Sequence, residues 1–121
     1  MAISSTIKEE LAQRPDVVAL ACMDTRSGLV LGMEVRDEGE RDNVEFATVS
    51  ATQLCAAPPS DDDVEEPVDE SFVVSQRWVH AYARVPSDRD LVLLGMAPGN
   101  ANVALFRDWL KHVAERVGPD R

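Results

Sequence analysis

Cysteine, glycine, histidine and aromatic residues are all scarce in this chain of 121 residues, and each scarcity removes a class of function. The two cysteines, Cys22 and Cys55, stand far apart in apolar contexts without a CxxC or Cys/His spacing, so neither a metal site nor a disulfide framework is indicated. Both are read as buried thiols. Six glycines leave no GxGxxG or GxxxxGK[ST] run, and APGNAN reads as a strand-to-helix turn with a cap rather than a phosphate cradle. Only His80 and His112 are available as bases. The first is expected on the polar face of a strand and the second on the exposed side of a helix, neither within a nucleophile-and-base pattern. No catalytic residue, cofactor or metal is therefore expected, and an enzyme is the least supported class. Six aromatic residues are few for an enclosed ligand cavity. Twelve basic residues against 22 acidic ones give a net charge of -10, which excludes a phosphate-backbone ligand and hence nucleic acid. No apolar run reaches the ~20 residues of a membrane span, and MAISSTIKEELAQRP lacks a signal peptide's pattern, so a cytoplasmic protein without membrane association is expected.

What the chain does contain is a series of short patterned segments, enough for one domain over residues 1–121. Thr6 and Glu9 form a capping-box pattern that predicts a helix start, with Ile7 and Leu11 on one face and a stop near Pro15. Residues 17–24, VVALACMD, are apolar without alternation and read as a central strand covered on both sides. After the turn DTRSG, residues 29–35 return as its hairpin partner. Asp42 and Glu45 repeat the capping-box pattern, and Val44, Ala47, Ala51, Leu54 and Cys55 recur at helical spacing up to Pro58 and Pro59.

Acidity is concentrated next. Asp61, Asp62, Asp63, Glu65, Glu66, Asp69 and Glu70 carry seven charges within ten residues, and the rest of the chain holds only -3. With its prolines, the stretch 58–70 reads as a flexible acidic loop. Period-two patterning then resumes in SFVVS and WVHAYARV, a second hairpin with Trp78, His80, Tyr82 and Arg84 on one face and Val79, Ala81, Ala83 and Val85 on the other. LVLLGMA over 91–97 reads as another central strand, beside the first. Asn100 or Asn102 caps a last helix whose stripe is Val103, Phe106, Leu110, Val113 and Val117. The order α-β-β-α-β-β-β-α predicts an α+β fold, a domain of two or three layers around a five-stranded antiparallel sheet.

This order, together with ALACMDTRSGLVLGMEV, SFVVSQRWVHAYARV and LVLLGMAPGNANVALFRDWLKHVAERV, resembles the roadblock and dynein light chain family, with Asp24, Gly28 and Asn102 through Val117 matching its strand-turn-strand and terminal turn-helix segments. The resemblance covers the chain outside 58–70. It implies a three-layer domain with helices on both faces of the five-stranded sheet, and a noncatalytic homodimer, formed by the second helix and the following edge strand, that binds and regulates a small Ras-like GTPase or a related scaffold complex. The elements so used carry Phe46, Val49, Gln53 and Leu54 on the helix and Phe72, Val74 and Trp78 near the edge strand. Two alternatives stand beside this one. One is a small-ligand sensor of the PAS or profilin-like kind, which a cavity of several hundred cubic ångströms would favour. The other is an acidic secretion chaperone, whose order of elements fits less well.

Overall fold

The computed structural model describes residues 3–55 and 69–117, the side chains of Leu54 and Cys55 excepted. Helix α1 (Ile3–Ala12) is followed by strands β1 (Ala19–Asp24) and β2 (Val30–Val35), helix α2 (Arg41–Cys55), strands β3 (Glu70–Val74), β4 (Trp78–Arg84) and β5 (Leu91–Pro98), and helix α3 (Val103–Val117). The strands form one antiparallel sheet in the order β2-β1-β5-β4-β3, so the two all-apolar strands are central neighbours, as their pattern requires. The predicted α+β architecture and order of elements are observed.

Strand alternation divides the interior into two cores. Leu20 and Cys22 on β1 and Leu91, Leu93 and Ala97 on β5 point to one side, where they meet Ile7 and Leu11 of α1 and Phe106, Leu110 and Val113 of α3. Ala19, Ala21 and Met23, with Val92, Leu94 and Met96, point to the other and meet Val44, Ala47 and Ala51 of α2. Gly95 explains how closely α3 lies on the sheet: a Cβ there would stand 3.0 Å from the Phe106 ring. Gly28, in the β1–β2 turn, has φ +78, a conformation that L side chains rarely adopt, and its N–H donates to the Asp24 carbonyl at 2.8 Å.

Helix starts depart from the capping-box expectation. Thr6 lies inside α1, which is already helical at Ile3, and its side chain is buried. Asp42 is in the first turn of α2; the capping carboxylate is Asp37, which accepts from the Gly39 N–H at 2.9 Å and starts a 3-10 turn at Glu38–Glu40 that runs into α2. Asn102, rather than Asn100, caps α3, its side-chain oxygen accepting from the Leu105 N–H at 3.2 Å. At the other end of α1, the Arg36 guanidinium donates to the carbonyls of Leu11, Arg14 and Val17 and ties the turn that follows the helix to the end of β2.

Ion pairs tie α3 to its neighbours. Arg116 pairs with Glu9 and the buried Glu10 of α1, and Arg14 lies over the Trp109 ring at 5.4 Å. Most of the expected acidic loop lies outside the described residues, but its last two members are held. Asp69 accepts from Arg84 at 3.0 Å and from Arg89 at 2.5 Å; Glu70 accepts from Arg107 at 2.6 Å and faces Lys111 at 3.5 Å. Hydrogen bonds from Arg107 hold the Glu70 carboxyl below its ordinary range. The end of the acidic run is thus a staple between β3 and α3.

Candidate functional site

The two faces of the sheet are covered unequally. Among the described residues two helices share one face, whereas α2 alone lies on the other, over β1 and β5, with lesser contact to β2 and β4. Beyond α2 the sheet ends in β3, which among the described residues pairs only with β4. This uncovered corner carries the largest apolar exposure on α2: Phe46 is 74% exposed and Val49 55% exposed. They recur with exposed Gln53 at i, i+3 and i+7, a stripe facing away from the Val44–Ala47–Ala51 stripe that packs on the sheet. The polar side chains between them turn back on the helix itself, with Ser50, Thr48 and Thr52 donating to carbonyls of α2.

Between α2 and the β3–β4 hairpin runs a groove of about 380 Å³. Phe46, Ala47 and Ser50 form its helix wall, Val73 its β3 wall, and Trp78, His80 and Tyr82 its floor on β4. Three of the six aromatic residues meet here. Arg77 lies at the groove with its guanidinium 5.4 Å over the Trp78 ring, a cation–π arrangement. His80 is half-buried opposite Val73 of β3 and Met96 of β5, and burial pushes its imidazole below the ordinary histidine value.

The seven side chains expected at an interface do not all converge. Phe46, Val49 and Gln53 share the outer stripe of α2, and Trp78 lies half-buried at the foot of the groove. Leu54 continues the helix, its side chain outside the described set. Phe72 points to the opposite face: it pairs with Ala81 and packs on the α1/α3 core. Val74, 67% exposed, shares that side through its pairing with Val79. The residue of β3 that does face α2 is Val73, which the reading of SFVVS passed over. The alternation of WVHAYARV orients β4 alone; only the register that pairs Val73 with His80 puts Val73 on the face of α2.

Burial pushes the Cys22 thiol up to about 12, so it is not a nucleophile at neutral pH. His112 is exposed on α3. No group of three metal-ligating side chains occurs among the described residues, and no helix there is long and apolar enough to cross a membrane. A second cleft of about 390 Å³, beside the β1–β2 turn, is lined by Asp24, Asp88 and Asp90 with Arg26, which pairs with Asp90 at 3.5 Å.

The chain has the roadblock fold. It superimposes on a Roadblock/LC7 domain from Streptomyces avermitilis with a TM-score of 0.74, covering 98% of this chain and 97% of that one at 14% identity. MglC from Myxococcus xanthus matches over 100% of both chains with a TM-score of 0.73 at 16% identity. An MglB structure with a tetrameric arrangement matches with a TM-score of 0.68 at 13% identity, covering 96% of this chain and 85% of that one. No protein-family profile and no curated protein matches the sequence. At these identities the roadblock likeness is one of fold, carried by strand order and helix placement rather than by shared side chains.

Proposed function

We propose that this roadblock-fold chain is a noncatalytic interaction module, a homodimer built on α2 and the β3 edge, that binds a small Ras-like GTPase or a related complex and regulates it. The observation that carries the reading is an apolar helix stripe beside a strand edge that is unpaired among the described residues, a surface that a twofold axis would make self-complementary. A fold neighbour with a tetrameric arrangement supports assembly as a property of such chains. Any effect on GTP hydrolysis would then come from reshaping the partner's switch segments, without a catalytic group from this chain.

Two experiments test this. Sedimentation equilibrium of the full chain is expected to show a dimer, and a monomer at all concentrations removes the assembly. Affinity purification from native lysate with a GTP analogue or with GDP is expected to recover a small GTPase in a nucleotide-dependent way; recovery of none removes the partner class. The acidic stretch steers a basic partner in this reading. Because Asp69 and Glu70 brace β3, that part is tested by neutralising 61–66 only, which is expected to lower both the association rate and its salt dependence.

The groove of about 380 Å³ favours a second reading, a small-ligand sensor, because its volume is in the range of ligand sites. Its rim is the exposed Phe46 and Val73, so it is an open cleft on the face assigned to assembly. Native mass spectrometry decides: a retained compound released on denaturation establishes the sensor.

A further inference from the structure

The far end of the sheet carries a second exposed apolar run. Strand β2 ends the sheet opposite β3 and among the described residues pairs only with β1. Leu29 is 63% exposed, Val30 43% and Leu31 40%, three consecutive residues where strand alternation would ordinarily turn one side inward. The β1–β2 ladder slips at this point: Cys22 faces Gly32 and Met23 faces Val30, so Leu31 is the extra residue of a bulge. Further along β2 the strand is covered. Gly32 lies under α1, where a Cβ would stand 3.1 Å from Ile7 Cδ1, and Met33 and Val35 pack on the α2 side. An acidic cleft adjoins the exposed run. The Asp24 N–H donates to the Leu29 carbonyl at 2.9 Å and the Leu29 N–H donates to Ser27 Oγ at 3.2 Å, so the run begins at the cleft of about 390 Å³ beside the β1–β2 turn. Asp24, Asp88 and Asp90 line that cleft with one guanidinium, Arg26, which leaves an excess of negative charge. Its field reaches into the sheet, where Asp88 and Asp24 add to burial in pushing the Cys22 thiol up.

Charge complementarity narrows what can cover this surface. The three carboxylates are not placed to hold a metal ion among the described residues, so the cation that suits the cleft is one carried on a side chain. The rest of this chain does not supply it: the residues outside the described set hold six acidic side chains and one basic. Nucleic acid and an anionic lipid surface are repelled by the same carboxylates. We propose that the β1–β2 hairpin, with the β4–β5 turn beside it, is a docking surface for a basic and apolar segment of a partner protein. Lysine or arginine side chains of that segment enter the Asp24–Asp88–Asp90 cleft while its apolar side chains cover Leu29 and Leu31. Burial of the apolar side chains supplies affinity; the carboxylates supply orientation, a faster encounter and sensitivity to salt. Because β2 and β3 are opposite ends of the sheet, this surface is independent of the homodimer reading and stands whether or not β3 pairs with a second copy.

Fluorescence anisotropy with the full chain tests this, the probe being a short labelled peptide of alternating lysine and leucine, beside lysine–serine and glutamate–leucine peptides of the same length. The lysine–leucine peptide is expected to bind with an affinity that falls as salt rises, and the other two at least about tenfold more weakly. Leu29→Ser with Leu31→Ser, and separately Asp88→Asn with Asp90→Asn, should each weaken the lysine–leucine peptide at least about tenfold. Neutralising the carboxylates at 61–66 should leave its binding in place, which separates the cleft from the acidic run. Amide chemical-shift mapping reads the site in the wild type, without any substitution: shifts should gather at residues 24–31 and 88–91 and spare Phe46, Val49 and Val73. Absence of binding, equal binding of either control peptide, or shifts centred on α2 and β3 overturns the inference. So does binding that survives both pairs of substitutions, or that disappears on neutralising 61–66. Sedimentation of the chain alone tests the occupant: an unchanged assembly in Leu29→Ser with Leu31→Ser supports a partner segment, and dissociation by that pair overturns it in favour of a second copy.

Discussion

The two faces of the sheet use similar residues to opposite ends. On one, α1 and α3 bury Phe106, Trp109, Leu110 and Val113, and charged pairs such as Arg116 with Glu9 and Glu10 seal the seam between the helices. On the other, a single helix buries Val44, Ala47 and Ala51 and leaves Phe46 and Val49 in water beside a groove. The contrast separates the stability of the fold from its availability to partners. One large aromatic, Phe106, is committed to the interior, while another, Phe46, contributes almost nothing to folding a single chain and is free to contribute to association.

Substitutions should break this contrast in a graded way. Phe106→Ala leaves a cavity beneath α3 and should cost about 3–5 kcal/mol of folding stability, read by urea unfolding. Gly95→Ala is smaller, about 1–3 kcal/mol, because its new methyl meets the Phe106 ring at 3.0 Å and α3 must lift. Glu70→Gln should show its effect as a change in pH dependence. The Glu70 carboxyl is held below its ordinary value by Arg107, so its contribution is present above the unfolded-state value of about 4.3 and is lost as pH falls through the lower folded value. The variant should therefore be less stable at neutral pH and lose less stability on acidification, as thermal melts across that range will show. Phe46→Ala should leave monomer stability within about 0.5 kcal/mol while weakening association. Equal folding losses in Phe46→Ala and Phe106→Ala would erase the distinction between the faces.

Much of the fold was legible because it depends on local regularities. The unbroken apolar runs at β1 and β5 admitted only central strands, and the alternation in β4 separated Val79, Ala81 and Ala83 from Trp78, His80 and Tyr82 before any pairing was known. Helix starts were less legible, since the Thr6–Glu9 and Asp42–Glu45 spacings fall inside α1 and α2 rather than at their edges. Thr6 is drawn into the interior by packing that its neighbours in sequence do not reveal. The interaction face was legible on α2, where Phe46 and Val49 fall outside the core stripe, and illegible on β3. Phe72, Val73 and Val74 are all apolar, so composition cannot say which one faces the helix.

By itself, then, the sequence determined the order and type of the elements, the two central strands and the apolar stripes of the helices, because periodicities of 2 and 3.6 are properties of a chain segment alone. It also determined the acidity and the absence of any recognisable catalytic motif. Tertiary structure alone decided that α2 stops short of the β3 edge, that Val73 rather than Phe72 faces the groove, that His80 forms its floor, and that Asp69 and Glu70 leave the acidic run to brace β3. Those outcomes depend on register and on which strands a helix covers, and both are settled between segments far apart in the chain.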